Sequence, residues 1–124
     1  MIWVTGSGGM LGRMVVSLLR ERNIPFVESD SNVDIRDKKA VDSFGSGTNI
    51  RWVVNCAAYT AVDAAEDDRD QAFSINRDGV RVLAEFCAEK RARLVHFSTD
   101  YVFNGKTGEP WNENDPVDPV NLYG

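Results

Sequence analysis

The sequence predicts an α/β domain built on a doubly wound parallel sheet, and two observations carry that prediction. Apolar, strand-like runs alternate with amphipathic, helix-like stretches along the chain, the pattern of a parallel sheet with helical crossovers. At its start, Ile2-Trp3-Val4-Thr5 opens into a loop with glycines at Gly6, Gly9 and Gly12. Behind that loop Leu11, Met14, Val15, Leu18 and Leu19 recur at helical spacing, so the loop joins a buried strand to an amphipathic helix.

In that setting each glycine has a separate physical use. Gly6 permits a tight turn off the strand, and Gly9 lets the backbone approach a pyrophosphate. Gly12 lets the helix pack close to the sheet, and the free N–H groups of the first helical turn face the phosphates. A glycine-rich turn without a ligand is the bland alternative; the flanking strand and helix weigh against it.

Ile24-Pro25-Phe26-Val27 reads as the second strand, with Glu28 and Asp30 at its end. An acid there would meet an adenosine ribose and favour NADH, while Arg13 and Arg36 are alternative receptors for the 2′-phosphate of NADPH. The residues leave this choice open. Lys38 to Phe44 reads as a short helix with Asp37 as N-cap, closed by Gly45-Ser46-Gly47. Trp52-Val53-Val54-Asn55-Cys56 is the third strand, apolar enough to be buried on both faces. The segment from Ala57 to Asp63 leaves its carboxyl end, where ligands lie in open parallel sheets.

A helix from about residue 70 to 90 follows, with Phe73, Val80, Leu83, Ala84 and Cys87 on one face. Asn76 falls on the buried stripe and needs hydrogen-bond partners there. Gly79 either weakens this helix or lets it pack closely. Leu94 to Ser98 is the fourth strand, within which His96 reads as packed or hydrogen-bonded rather than catalytic. Ser98-Thr99-Asp100-Tyr101-Val102-Phe103 runs off its carboxyl end. Residues 104–121 form a long loop rich in Gly, Pro, Asn and acids, with Trp111 as its large anchor.

At 124 residues and 43% hydrophobic content the chain suits one domain with one core. Net charge is −5 with both signs interspersed, which argues against nucleic acid or an anionic membrane as partner. No apolar run approaches the roughly 20 residues that span a bilayer. Cys56 and Cys87 lie far apart and read as small buried hydrophobes in a reducing compartment. A cytoplasmic protein with no metal site is expected.

Four blocks then point to a family: Gly6 to Gly12, Asp34 to Asp37, Asn55 to Glu66, and Ser98 to Gly105. Through them the chain resembles the amino-terminal half of the dTDP-4-dehydrorhamnose reductases, within the extended short-chain dehydrogenase/reductase superfamily. Asn121-Leu122-Tyr123-Gly124 is similar to the start of that family's Tyr-x-x-x-Lys segment.

The resemblance implies a Rossmann-like NAD(P)-binding domain over residues 1–124, ending before the catalytic helix and the substrate domain. It implies that Gly6, Gly9, Met10, Leu11 and Gly12 hold the pyrophosphate of NADPH or NADH. Asp34 and Ile35 would flank the adenine, Ala57, Ala58 and Tyr59 would line the route to the nicotinamide, and Asn76 would brace the site. Thr99 and Asp100 would meet the substrate, dTDP-4-dehydrorhamnose, and Thr99 and Tyr123 would be catalytic. A phenol with its ordinary pKa of about 10 is a poor acid at neutral pH and needs a nearby cation.

In the family that cation is the lysine four positions after the tyrosine, which lies past Gly124. The chain by itself is therefore expected to be the cofactor half of the enzyme and inactive, with a homodimer an open expectation. A sugar-nucleotide epimerase or dehydratase of the same superfamily is the alternative enzyme, and a regulatory subunit of methionine adenosyltransferase the alternative from another class. The Tyr59-Thr60-Ala61-Val62-Asp63 block together with Thr99 favours the reductase.

Overall fold

The computed structural model describes residues 1–124. Four strands, β1 (Ile2–Thr5), β2 (Phe26–Glu28), β3 (Trp52–Asn55) and β4 (Arg93–His96), form one sheet in the order β2-β1-β3-β4. All three pairings are parallel. Between them run α1 (Met10–Glu21), α2 (Lys38–Gly45), and a long helix made of α3 (Arg69–Phe73), a π-helical segment (Ser74–Gly79) and α4 (Val80–Lys90). The chain steps outward from β1 to β2 and then returns to β1's other side as β3. Such a reversal opens a crevice above the carboxyl ends of β1 and β3.

Successive strand residues face opposite sides of the sheet, and each side has its own core. Trp3 and Val53 face α2 and α4, packing with Val41, Leu83, Phe86 and Cys87. Val4 faces α1, packing with Val16 and Leu19. The doubly wound prediction is therefore met: α1 covers one face, α2 and α4 the other.

Trp3 organises the larger core. It is fully buried, stacks on Phe44 with ring centroids 4.8 Å apart, and meets the edge of Phe86 at 5.4 Å. Its indole N–H donates to Ser29 Oγ at 2.9 Å, so its one polar atom is satisfied. The Phe86 ring fills the space that a Cβ on Gly45 would need. At the start of α2, the expected cap is present: Asp37 Oδ1 accepts the Lys39 N–H at 2.9 Å.

Two helix faces differ from expectation. In α1 the inward residues are Gly12, Val16 and Leu19, while Leu11, Met14 and Leu18 are exposed. The helix touches the protein first at Gly12, and the buried stripe continues from there at i+4 and i+7. In the long helix Val82, Leu83, Phe86 and Cys87 are buried, whereas Ala84 is exposed and Phe73 and Val80 are half-buried. The π-helical turn adds a residue per turn and rotates the downstream face. Gly79 sits at its end because a Cβ there would lie 2.8 Å from Ile35 Cδ1; close packing is its purpose.

The third strand is less enclosed than expected, since Trp52 is exposed at its start. The fourth begins at Arg93, ends at His96 and is an edge. Both cysteines are free; burial raises the pKa of each thiol, that of Cys87 to about 11, which keeps them protonated and inert. The loop after residue 104 is closed by an Asp118 N–H to Val102 carbonyl bond of 2.9 Å and by Trp111 stacked on Phe103 at 4.5 Å. No helix is long and apolar enough to cross a membrane.

The Gly45–Phe86–Trp3 contact yields a stability prediction. Gly45→Ala must displace Phe86 from Trp3 and is expected to cost about 1–3 kcal/mol of unfolding free energy in urea titrations followed by Trp fluorescence. An unchanged midpoint would show that this packing is slack.

Candidate functional site

The glycine loop is a place where three elements meet with no room for side chains. Gly6 has φ +63°, the left-handed region, and a Cβ on it would collide with the backbone of Cys56 and Ala57 beyond β3. A Cβ on Gly12 would run into the Gly6 carbonyl. Gly9 is different. The nearest atom its Cβ would meet is the Gly6 carbonyl oxygen at 3.4 Å, an ordinary contact, so the protein itself does not require glycine there.

The loop also leaves donors free. The N–H groups of Met10, Leu11 and Gly12 have no partner in the chain, and α1 has neither a side-chain cap nor an acid in its first turn. Three unpaired N–H groups at the positive end of a helix, beside a glycine open to approach, suit a pyrophosphate. The side chain of Met10 plays no part in this and is 88% exposed.

Beside the loop lies a cleft of about 410 Å³. Of the residues expected to hold the cofactor, Gly6, Gly9, Asp34, Ile35, Ala57 and Ala58 line it, together with Asp30 and Arg36; Met10, Leu11, Gly12 and Tyr59 do not. Asp30 lies against Gly8, where its carboxylate fills the space of a Cβ. Asp34 is less free than the sequence suggested. Its carboxylate accepts from Arg36 Nη2 at 2.7 Å and Nε at 2.9 Å, which holds it below the usual carboxylate pKa. Arg36 also reaches Gln71 Oε1 and Ser74 Oγ at 3.2 and 3.3 Å, tying the loop before α2 to the long helix. Ile35 is in the core against Gly79 and contributes only an edge to the cleft.

The exit of β3 is held by two amides. Buried Asn55 accepts from Thr5 Oγ1 at 2.6 Å and from the Ala57 N–H at 3.1 Å, and its Nδ2 lies 3.1 Å from His96 Nδ1. Because that amide group donates, His96 accepts at Nδ1 and is neutral. Farther along, Asn76 Oδ1 accepts the Tyr59 N–H at 2.8 Å and its Nδ2 donates to the Tyr59 carbonyl at 2.9 Å. Asn76 belongs to the π-helical segment.

The residues expected to do chemistry are not gathered in the first cleft. Tyr123 lines a second one of about 530 Å³ with Arg69, Phe73, Asn76 and Arg77. Its ring meets the edge of Tyr101 at 5.8 Å. Thr99 and Asp100 line neither cleft. The Thr99 hydroxyl accepts the Tyr101 N–H at 3.2 Å and donates to Asp100 Oδ1 at 3.3 Å. Asn76 and its neighbour Ile75 bridge the two clefts, one residue lining each.

Sequence reasoning passed over Arg69 and Arg77, which flank the Phe73 ring at 5.2 and 5.1 Å. Their spacing of four on either side of an aromatic residue was the available signal. No group of three or more His, Cys, Asp or Glu side chains is placed to hold a metal.

The profile of the RmlD substrate binding domain matches residues 1–124. The chain belongs to that family. Relatives include the dTDP-4-dehydrorhamnose reductase of Streptomyces griseus, 43% identical across 98% of this chain and 40% of its own length. Another is the dTDP-4-keto-6-deoxy-D-glucose reductase of Streptomyces niveus, 42% identical across 98% of this chain and 42% of its own. Among solved structures, a dTDP-4-dehydrorhamnose reductase from Clostridium acetobutylicum superposes with a TM-score of 0.93 at 40% identity, over 99% of this chain and 44% of that one. A Bacillus anthracis reductase in complex with NADP gives 0.93 at 34% identity, over 98% and 44%. The chain thus spans about two-fifths of the curated relatives it matches. Both Streptomyces relatives are named as reductases, the Bacillus anthracis structure holds NADP, and the parallel α/β fold is shared with the solved structures.

His96 gives the site a pH signature. Burial lowers its pKa from an ordinary 6.5, so the unfolded chain takes up this proton at higher pH than the folded one. Stability is therefore full above about pH 6.5 and falls as pH drops from there toward the folded pKa. The ring is on an exposed edge strand, which keeps the effect small. Thermal unfolding at pH 7.5 and 5.5 should show the drop in the wild type and a smaller one in His96→Gln. Equal drops in both would remove His96 as its source.

Proposed function

We propose that the chain is the dinucleotide-binding part of an NAD(P)H-dependent reductase that converts the 4-keto group of dTDP-4-dehydrorhamnose to the alcohol of dTDP-L-rhamnose. The observation that carries this reading is the set of unpaired Met10, Leu11 and Gly12 N–H groups beside the open Gly9, joined to membership of a family whose named members reduce dTDP-sugars. Gly6, Gly9, Met10, Leu11 and Gly12 would hold the pyrophosphate. Asp34 and Ile35 would border the adenine, and Ala57, Ala58 and Tyr59 the nicotinamide side.

When bound, the dinucleotide supplies a hydride. The chain's own residues handle the oxygen that gains negative charge as hydride reaches C4. Thr99 would turn its hydroxyl proton from Asp100 to that oxygen, and the Tyr123 phenol would protonate it. Asp100 is then freed to accept from a sugar hydroxyl.

Asp30 favours NADH. A carboxylate beside the glycine loop accepts from ribose hydroxyls and repels a 2′-phosphate, and Arg36, the cation of that cleft, is engaged by Asp34. Asp30→Asn should move the ratio of kcat/KM for NADH over NADPH about tenfold toward NADPH, since it removes a like-charge clash. A ratio that does not move would take the cofactor choice away from Asp30.

The activity itself is tested on the full-length protein by following NAD(P)H oxidation with dTDP-4-dehydrorhamnose. Tyr123→Phe is expected to lower kcat about 100-fold or more while leaving cofactor affinity within about twofold. Gly9→Ala should keep its Tm but bind NAD(P)H about tenfold more weakly, because its methyl group occupies ligand space only. Oxidation that does not depend on the sugar, or full activity in Tyr123→Phe, would overturn the proposal.

A further inference from the structure

Asn121 to Gly124, the stretch carrying Tyr123, is joined to the rest of the domain by a single hydrogen bond. Glu66 Oε1 accepts the Leu122 N–H at 2.8 Å across 56 residues of chain. The other bond within the stretch is local, from the Gly124 N–H to Asn121 Oδ1 at 2.8 Å. What remains is packing: the edge contact of Tyr123 with Tyr101, and Gly124 set so close to the Tyr101 carbonyl that a Cβ would overlap it. Packing of that kind restrains the ring from one side, and the Glu66 bond restrains the backbone next to it.

Glu66 stands on a firm base. It ends the 3-10 turn Ala64–Glu66, whose middle residue, Ala65, is fully buried and donates to the Ala61 carbonyl at 2.9 Å. Asp67 and Asp68 N–H groups both close on the Ala64 carbonyl, at 3.2 and 2.9 Å. This turn continues the segment that Asn76 clamps at Tyr59. One end of the segment thus borders the proposed nicotinamide wall, while the other holds the backbone of the proposed proton donor.

We propose that Glu66 is a positioning residue for Tyr123, its carboxylate fixing the Leu122 N–H and so the distance from the phenol to the wall formed by Ala57, Ala58 and Tyr59. The inference deepens the reductase reading and rests on it for its catalytic half. A carboxylate-to-amide bond is charge-assisted and stronger than a neutral one. The role asked of Glu66 is that of an acceptor, so glutamine should substitute for it and alanine should not.

The test uses the full-length protein with Glu66→Ala and Glu66→Gln, read by amide hydrogen exchange at residues 120–124 and by kinetics. In Glu66→Ala, exchange there should accelerate about tenfold and kcat should fall about tenfold, as expected for loss of one charge-assisted bond and a displaced reacting group. KM, NAD(P)H affinity and Tm should stay near wild type, and Glu66→Gln should recover both exchange and kcat to within about twofold. Unchanged exchange in Glu66→Ala overturns the proposal whatever the kinetics show. So does a Glu66→Gln variant as impaired as Glu66→Ala, or a loss of Tm and cofactor affinity parallel to the loss of kcat. Faster exchange in a protein that reduces no sugar upholds the tether and overturns only the reductase reading.

Discussion

The structure depends on one close approach, where the turn after β1, the start of α1 and the exit of β3 crowd together. Gly6 lies against the Cys56–Ala57 backbone, and Gly12 lies against the Gly6 carbonyl. Backbones this near leave no space for a methyl group, and the crowding settles much else. It brings α1 in with Gly12, Val16 and Leu19 toward the sheet and sets the exit of β3 against the turn that precedes the helix. Close packing and unpaired donors here have one cause: removing side chains lets the elements meet and also exposes peptide groups.

A second layer of order comes from polar side chains that hold loops. Asn55 joins β1, β3 and β4 through Thr5 and His96 at the carboxyl ends of the strands. Asn76 grips both polar backbone atoms of Tyr59, and Arg36 links Asp34 to the long helix. No buried side-chain nitrogen or oxygen is left without a partner. The loops over the crevice are thereby placed by a few specific bonds.

The two clefts meet at Ile75 and Asn76, in the π-helical segment. That segment is also where the long helix changes pitch, with Gly79 admitting Ile35 at its end. The long helix thus lends Leu83, Phe86 and Cys87 to the hydrophobic core and Asn76 to the second cleft.

The alternating strand and helix signals, the glycine loop and the Asp37 cap were legible because each rests on neighbours in sequence, whereas Asn76 showed only that it needed hydrogen-bond partners, not that Tyr59 would supply them. The doubly wound parallel sheet followed from them, and His96 is hydrogen-bonded, one of the two readings its place in the strand allowed. Periodicity failed where one face had to be chosen among several apolar ones. Leu11, Met14 and Leu18 look as buried as Val16 and Leu19, and Ala84 as buried as Val82, until the contact at Gly12 and the π turn select the face. The Glu66–Leu122 bond and the Arg69–Phe73–Arg77 cluster were out of reach in different ways. The first spans 56 residues, and the second reads as an ordinary solvated helix face until a cleft opens beside it. Local chemistry along the chain thus determined the fold class and the glycine turn that leaves the first N–H groups of α1 unpaired. Tertiary structure decided which apolar stripe is core, which acid is already paired and what bonds the backbone beside Tyr123, because these depend on which distant groups arrive at the same place.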